Sequence, residues 1–308
     1  MKKILVLGSI GYDLVTFIEK MPVAGETIVG KKFIQNPGGK GDNQAVAASR
    51  AGGDTTFMGA IGDDVYGEIL KKNLSDNKVK HKLKVVNNMS CQIATILIEP
   101  NGENRIVIVP GANNYVDKKF IDDNEKLIDE SDIIIFQLEI PIESVEYGID
   151  LAYKKNKIII LDPAPGRPLS DNIIKKCTYI KPNETELSLI SGMPTNNMEE
   201  IEKASMTIMN KGAQNLLVTL GEKGCVLYSK GKDKKIYETY PTKAVDTTAA
   251  GDCFTGVFAT YLSKGFNIEE CIKYANLASS ISVSRNGAVP SLPTFEEIEK
   301  EKKNIKNW

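Results

Sequence analysis

Asp132-Ile-Ile-Ile-Phe-Gln137, then an amphipathic stretch from Glu143 to Lys155, then Ile158-Ile-Ile-Leu-Asp162: this run of the chain decides the fold. The two apolar runs are short, β-branched and bounded by polar residues, which predicts strands at 132–137 and 158–162 with a helix over 143–155 between them. A strand that is apolar throughout is one buried on both faces, and a helix joining two such strands makes a parallel crossover. Outward in both directions the same alternation returns. Strands are expected at 4–8, 55–61, 178–181 and 215–220, with short ones near 224–228 and 235–240. Helices are expected over about 42–52 and 65–75, from Glu184, over about 199–211, and near 249–264, 268–284 and 294–304. The fold class is α/β, a mostly parallel central sheet flanked by helices in three layers. Two segments break the rhythm. One holds Leu14-Val-Thr-Phe-Ile18 and Glu26-Thr-Ile-Val29; the other holds Ile93-Ala-Thr-Ile-Leu-Ile98, the Pro100-Asn-Gly102 turn and Arg105-Ile-Val-Ile-Val109. Both read as hairpin material with no helix between strands, so a small second sheet is expected as a lid. The expected division is a main domain of residues 1–11, 37–89 and 110–308, with a lid of 12–36 and 90–109.

Composition narrows the function. The chain has 308 residues, 42% hydrophobic and 26% charged, with a formal net charge of −1. That suits a globular protein with a large core and provides no basic field for nucleic acid. Five widely spaced cysteines, Cys91, Cys177, Cys225, Cys253 and Cys271, include no C-x-x-C pair and read as reduced thiols of a cytoplasmic protein. Ile4-Leu-Val-Leu7 is too short for a signal segment or a membrane span, so no membrane partner is expected. His81 is the only histidine and lies among lysines, which makes histidine catalysis and His-ligated zinc poor readings; a loop or strand-edge position suits it better. The glycine run at 38–41 has Asp42 and Asn43 where a Walker loop needs Lys and Ser/Thr, and Gly8-Ser-Ile-Gly11 lacks dinucleotide-fingerprint spacing.

Ala244-Val-Asp-Thr-Thr-Ala-Ala-Gly-Asp-Cys-Phe-Thr-Gly256 carries the chemistry. Small residues Ala249, Ala250 and Gly251 let backbone N–H groups converge where a helix begins, an end that attracts anions. Asp252 then stands in the first turn, beside a bound phosphoryl group, where it can accept a proton from an attacking hydroxyl. The local sequence equally admits a plain capping acid with small residues for close packing.

The wider pattern resembles the ribokinase family of sugar and nucleoside kinases. Gly38-Gly-Lys-Gly41 with Asn43-Gln-Ala45 is similar to the family's first signature, and Val245-Asp-Thr-Thr-Ala-Ala-Gly-Asp252 to its second. Between and after them stand Gln137-Leu-Glu139, Asp162-Pro-Ala-Pro165, Lys181-Pro-Asn-Glu-Thr-Glu186, Val218-Thr-Leu-Gly-Glu-Lys-Gly224 and Arg285-Asn-Gly-Ala-Val-Pro-Ser291. The match runs the length of the chain and implies a ribokinase-like fold. It implies ATP-dependent phosphorylation of ribose at O5 with Asp252 as base and the amides of 249–252 as anion hole. The alternatives are 2-deoxyribose, fructose, another sugar or a nucleoside as acceptor, or a non-catalytic sugar-binding homologue.

By the same resemblance, Asp13, Gly39, Lys40, Asn43, Glu139 and Asp252 hold the sugar, with Gly11, Tyr12, Gly41 and Asp42 beside them. Asn183 and Glu186 organise Mg²⁺. Thr219, Leu220, Gly221, Glu222, Lys223 and Gly224, with Gly251 and Asp252, line the nucleotide phosphates, and Asn276 lies near adenine. Asp246, Thr248, Ser282, Arg285, Gly287 and Ser291 match a site for K⁺ as activator. A homodimer through the lid strands is also implied. Three positions depart from the family pattern, with Gly11 for Asn, Asp42 for Ala and Asp162 for Asn.

Overall fold

Ile4, Leu5, Val6 and Leu7 have no exposed surface, because their strand lies inside a sheet with parallel neighbours on both edges. The computed structural model describes residues 1–305 and Trp308. In chain order its strands are β1 (Lys3–Leu7), β2 (Gly11–Phe17), β3 (Lys32–Gly38), β4 (Asp54–Gly62), β5 (Lys80–Val86), β6 (Gln92–Ile98), β7 (Asn104–Val109), β8 (Ile133–Phe136), β9 (Ile158–Leu161), β10 (Tyr179–Ile180), β11 (Asn215–Thr219), β12 (Cys225–Ser229) and β13 (Lys235–Tyr237). Nine form one sheet in the order β13-β12-β11-β10-β9-β8-β1-β4-β5. It is parallel from β5 to β11, with β12 and β13 added antiparallel. The expected mostly parallel sheet is therefore present.

Side-chain alternation divides the core between the two faces. Ile4 and Val6 pack with Val46, Phe258 and Leu277 from the helices Lys40–Arg50, Ala250–Ser263 and Ile268–Val283. Leu5 and Leu7 pack on the other face with Ile149, Ile173 and Ile208 from the helices Ile142–Lys154, Asp171–Lys176 and Met198–Asn210. Each side is a continuous apolar layer.

A second, four-stranded sheet has the order β3-β2-β6-β7, and Tyr12, Leu14 and Ile93 join it to the core. Its β2 and β6 run parallel, with β3 and β7 antiparallel outside them. The small second sheet expected from the two helix-free segments is thus formed. One of its strands is not where the sequence put it: Glu26-Thr-Ile-Val29 is irregular and the strand is Lys32–Gly38. β2 reaches Phe17 and its chain turns back only after Gly30 and Lys31, so pairing with Phe17 begins at Lys32.

The lysine-rich stretch around His81 also forms a strand that the sequence reading had not assigned. β5 is the sheet's edge, and its alternate lysines Lys80 and Lys82 face solvent. Such charges blunt an edge against pairing with another chain. His81 lies opposite Phe57 in register, the strand-edge place expected for it.

The order of strands matters for the site. From β1 the chain moves to β4 and β5 on one side, then crosses to β8, β9, β10 and β11 on the other. The crevice outside the carboxyl ends of such strands, where the winding reverses, is where open α/β sheets take ligands. Ser9, Gln137, Glu139, Asp162, Lys181 and Thr219 all follow or end these strands.

Candidate active site

The helix Ala250–Ser263 begins abruptly, and its start is conformationally unusual. Ala249 takes a left-handed backbone with φ 60° and ψ 11°, a region that costs an L-residue about 1–2 kcal/mol. That turn aims the first helical N–H groups outward. Among the described residues the Gly251 and Asp252 N–H groups have no acceptor, so both are available to an anion. Ala250 corrects the expectation that all of 249–252 contribute. Its N–H donates to the Thr247 carbonyl at 3.2 Å, because the left-handed turn closes a tight loop there.

Asp252 is buried and held from two sides. Asn43 Nδ2 donates to its Oδ2 at 3.0 Å, and Gln44 Nε2 donates to its Oδ1 at 2.9 Å. Burial pushes its carboxyl up to about 6, against the pull of Lys40 and those two hydrogen bonds, while Asp162 adds to the push. It lines a cleft of about 520 Å³ together with Lys40, Asp162, Lys181, Glu186, Gly251 and Asn276.

Lys40 opens the helix Lys40–Arg50 and supplies the cleft's counter-charge. Burial works against its ammonium, but the carboxylates of Asp252, Asp162, Glu139 and Glu186 outweigh that and hold it above its ordinary value. Glu139 has a second task, since its Oε2 accepts from the Lys40 backbone N–H at 3.0 Å and from Ser9 Oγ at 2.5 Å. It therefore anchors the start of that helix to the end of β1. Gly39 and Gly41 make the junction possible. Gly39 has φ 89°, and a Cβ on Gly41 would lie 2.6 Å from the Ser9 carbonyl oxygen.

Strand alternation sorts the remaining residues expected to hold the sugar. Asp13 stands over Gly38 and, among the described residues, has no hydrogen-bond donor. Burial, then the charges of Glu139 and Asp252, push its carboxyl up to about 7. Tyr12, one step along β2, faces the opposite way and packs on Tyr66 with ring centroids 4.6 Å apart. The expectation that Tyr12 touches a ligand is thus corrected. Gly11 lies against the Gln92 side chain, where a Cβ would come within 2.8 Å. Asp42 is corrected as well: it is fully buried and its Oδ2 accepts from Asn73 Nδ2 at 2.9 Å. Burial and then Asp13 hold its carboxyl well above the usual range. Asn43 keeps a buried Oδ1 with no partner among the described residues.

Of the residues expected to hold the nucleotide and Mg²⁺, Asn183 and Glu186 form a reciprocal capping box, each bond 2.8 Å. Both line the cleft, and the box uses only one oxygen of Glu186. Thr219, Gly221 and Gly224 also line it, whereas Leu220 is in the core, and Glu222 and Lys223 point to solvent outside it. A tight 3-10 turn at Gly221–Lys223 explains the split, because its successive residues point in different directions. Asn276 is buried at the cleft wall and donates to the Glu238 carbonyl at 3.2 Å.

The expected cation-site residues gather in two groups. Asp246 accepts from the Thr248 backbone and hydroxyl at 2.9 and 2.6 Å and from the Gly287 N–H at 2.8 Å. Burial pushes its carboxyl up, but these bonds outweigh it and hold it below the ordinary carboxylate range. Ser282 and Ser291 share a hydroxyl pair at 2.8 Å. The Arg285 guanidinium is paired with Glu297 at 2.7 Å, so that side chain is no cation ligand.

Asp162 and Lys181 line the cleft and Gln44 lies behind its wall, and the local sequence carries no sign of a role for any of them. Gln44 and Asp162 belong to quoted segments yet had no role. Lys181 is buried, 3.3 Å from Asp162 Oδ2, and lies 3.4 Å from where a Cβ on Gly251 would stand. Its ammonium is thus close to Gly251.

A family model described as pfkB family carbohydrate kinase matches residues 1–295. The chain belongs to this family. As a pfkB family carbohydrate kinase it is 38% identical over 300 residues to the ribokinase of Bacillus subtilis, covering 97% of this chain and 99% of that one. It is 33% identical over 297 residues to the deoxyribokinase of Salmonella typhi, covering 96% and 97%. The structure of Arabidopsis thaliana ribokinase complexed with ribose and ATP superposes with a TM-score of 0.91 at 33% identity, covering 97% and 98%. The family resemblance carried by the seven ordered segments is therefore met, and so is the ribokinase-like fold.

Proposed function

We propose that this pfkB family kinase transfers the γ-phosphoryl group of ATP to O5 of D-ribose. The carrying observation is Asp252, pinned by Asn43 and Gln44 beside two unpaired N–H groups at a helix start. Similarity to ribokinases over almost the whole chain supports ribose as the acceptor.

In this reading Asp13, Lys40, Glu139 and the free Oδ1 of Asn43 take the sugar hydroxyls. Fixed polar groups of this kind select a polyol, because a wrong acceptor leaves them unpaired. Asp252 takes the proton from O5 as the O5–P bond forms and the bond from the γ-phosphorus to the β–γ bridging oxygen of ATP breaks, releasing ADP. Positioning matters more than basicity in a loose transfer of this type. The Gly251 and Asp252 N–H groups and the Lys181 ammonium offset the charge on the transferred group.

Mg²⁺ suits the remaining oxygen of Glu186, since that ion keeps several waters and takes few carboxylates. It would supply charge neutralisation at the nucleotide phosphates. Asp246, Thr248, Ser282 and Ser291, with the carbonyls of Arg285 and Gly287, form an all-oxygen set that suits K⁺ and would steady the loop before Ala249. The four-stranded sheet is the proposed lid, with limits at 12–36 and 90–109. Five free, buried cysteines agree with a reducing cytoplasm. Among the described residues no helix is long and apolar enough to cross a membrane.

β7 presents Ile106, Val107, Ile108 and Val109 to solvent on an unpaired edge. We propose that this edge meets a second copy of the chain. Sedimentation at assay concentration should give a dimer, and Val107→Lys should shift it to monomer; a monomeric wild type contradicts the pairing.

Turnover should follow Asp252. With the carboxyl near 6, the base is charged above that pH and neutral below it. The rate constant kcat should therefore fall about tenfold per unit below pH 6 and level off above 7. Asp13→Asn should leave that limb in place, because the Asp13 carboxyl, pushed up to about 7, is already neutral where Asp252 titrates. A profile flat down to pH 5 contradicts the base role. NMR of the product, showing phosphorus coupled to C5 of ribose, tests the position of transfer.

A further inference from the structure

Gln44 is fully buried in the helix Lys40–Arg50, behind the cleft wall. Its Nε2 lies 2.9 Å from Asp252 Oδ1 and 2.9 Å from Asp162 Oδ2. Its Oε1 accepts from Gln137 Nε2 at 2.7 Å. Ionised carboxylates only accept, so chemistry fixes the amide: both of its N–H bonds go to the two acids and its oxygen to Gln137. Gln137 is itself buried at the end of β8, packed where Gly8 has no side chain. Asp162 is tied further by Thr255 Oγ1 at 3.2 Å and Lys181 Nζ at 3.3 Å. A chain of side chains thus runs from the sheet through one amide to the reacting carboxylate.

We propose that Gln44 is a positioning residue for phosphoryl transfer, holding the plane of the Asp252 carboxylate and separating it from Asp162 without touching sugar or nucleotide. This rests on the kinase reading above. Asn43 restrains one oxygen of Asp252, which alone would leave the carboxylate free to swing; Gln44 restrains the other. Its Nε2 sits between two acids whose charges repel, giving one N–H to each. The titratable groups coupled electrostatically to Asp252 are Lys40 and Asp42 from the helix carrying Gln44, Asp162 after β9 and Asp13 on β2. Of these, Asp162 is the one Gln44 links to it directly.

The test is Gln44→Met, which keeps the volume and removes every donor. We expect kcat to fall about 10–10²-fold at pH 7. KM for ribose and for ATP should stay within about threefold, because no substrate contact is lost. The acid limb of the pH profile should move to higher pH, so the deficit shrinks as pH rises. Adding Asp162→Asn to Gln44→Met should move the limb back without restoring the plateau. An unchanged limb with unchanged kcat overturns the proposal, as does a KM rise with kcat intact. If Gln44→Met fails to fold, Gln137→Met removes only the donor that orients Gln44 and should show the same shift in smaller measure. Carbon NMR of the Asp252 carboxyl separates this proposal from the kinase reading. Its titration midpoint should rise in the variant even if no sugar is phosphorylated, and an unmoved midpoint overturns the positioning role whatever the turnover.

Discussion

Asp252→Ala should lower kcat by about 10²–10⁴-fold, the range a positioned general base contributes, with KM for ATP little changed. Alanine is the cleaner probe. An amide in place of the carboxylate would turn its NH2 toward Asn43 Nδ2 or Gln44 Nε2, both donors, and so disturb the pocket beyond removing the base. The variant should still fold, because the helix Ala250–Ser263 keeps its buried face of Phe254, Val257, Phe258 and Tyr261. Measuring ADP release with saturating ribose checks it. A loss smaller than tenfold would mean that the proton leaves by another route and that Asp252 serves mainly to start the helix.

Lys40→Met comes second in size, and its effect should appear in two places. The ammonium is a counter-charge to Asp252, Asp162, Glu139 and Glu186, and its removal takes that charge from all four. Losing a charge-assisted contact to sugar or phosphate costs about 1.5–3 kcal/mol, or about 10–10²-fold in kcat/KM. Lys40 also draws the Asp252 carboxyl down, so the acid limb should move to higher pH in the variant. Rate profiles from pH 5 to 9 would show both. A fall in kcat/KM with the limb unmoved would place Lys40 on the substrate alone.

Much of the scaffold was legible because it depends on local pattern. Ile133-Ile-Ile-Phe136 and Ile158-Ile-Ile-Leu161 read as buried strands, and the small residues of Ala249-Ala-Gly-Asp252 marked a helix start. Where the reading went astray, the cause was orientation. Tyr12 and Asp13 are adjacent on β2, and only the register with β3 and β6 decides that Asp13 comes near Glu139 and Asp252 while Tyr12 faces Tyr66. Asp42 turns to Asn73, 31 residues away, a contact no local rule supplies. Gln44 joins Asp162 and Asp252, separated from it by 118 and 208 residues, so its place in the site emerges only when β9 and the helix at Ala250 come together. The lysines of β5 left a loop and a strand edge both open, because an edge strand needs apolar residues on one face only.

Steady-state ATP turnover with ribose, 2-deoxyribose, fructose and adenosine in parallel, on wild type and Asp252→Ala with Mg²⁺ and with or without K⁺, tests the central claim most directly. The expected result is the highest kcat/KM with ribose, lost in Asp252→Ala. Preference for another acceptor, or ADP formation that no acceptor stimulates, would contradict it.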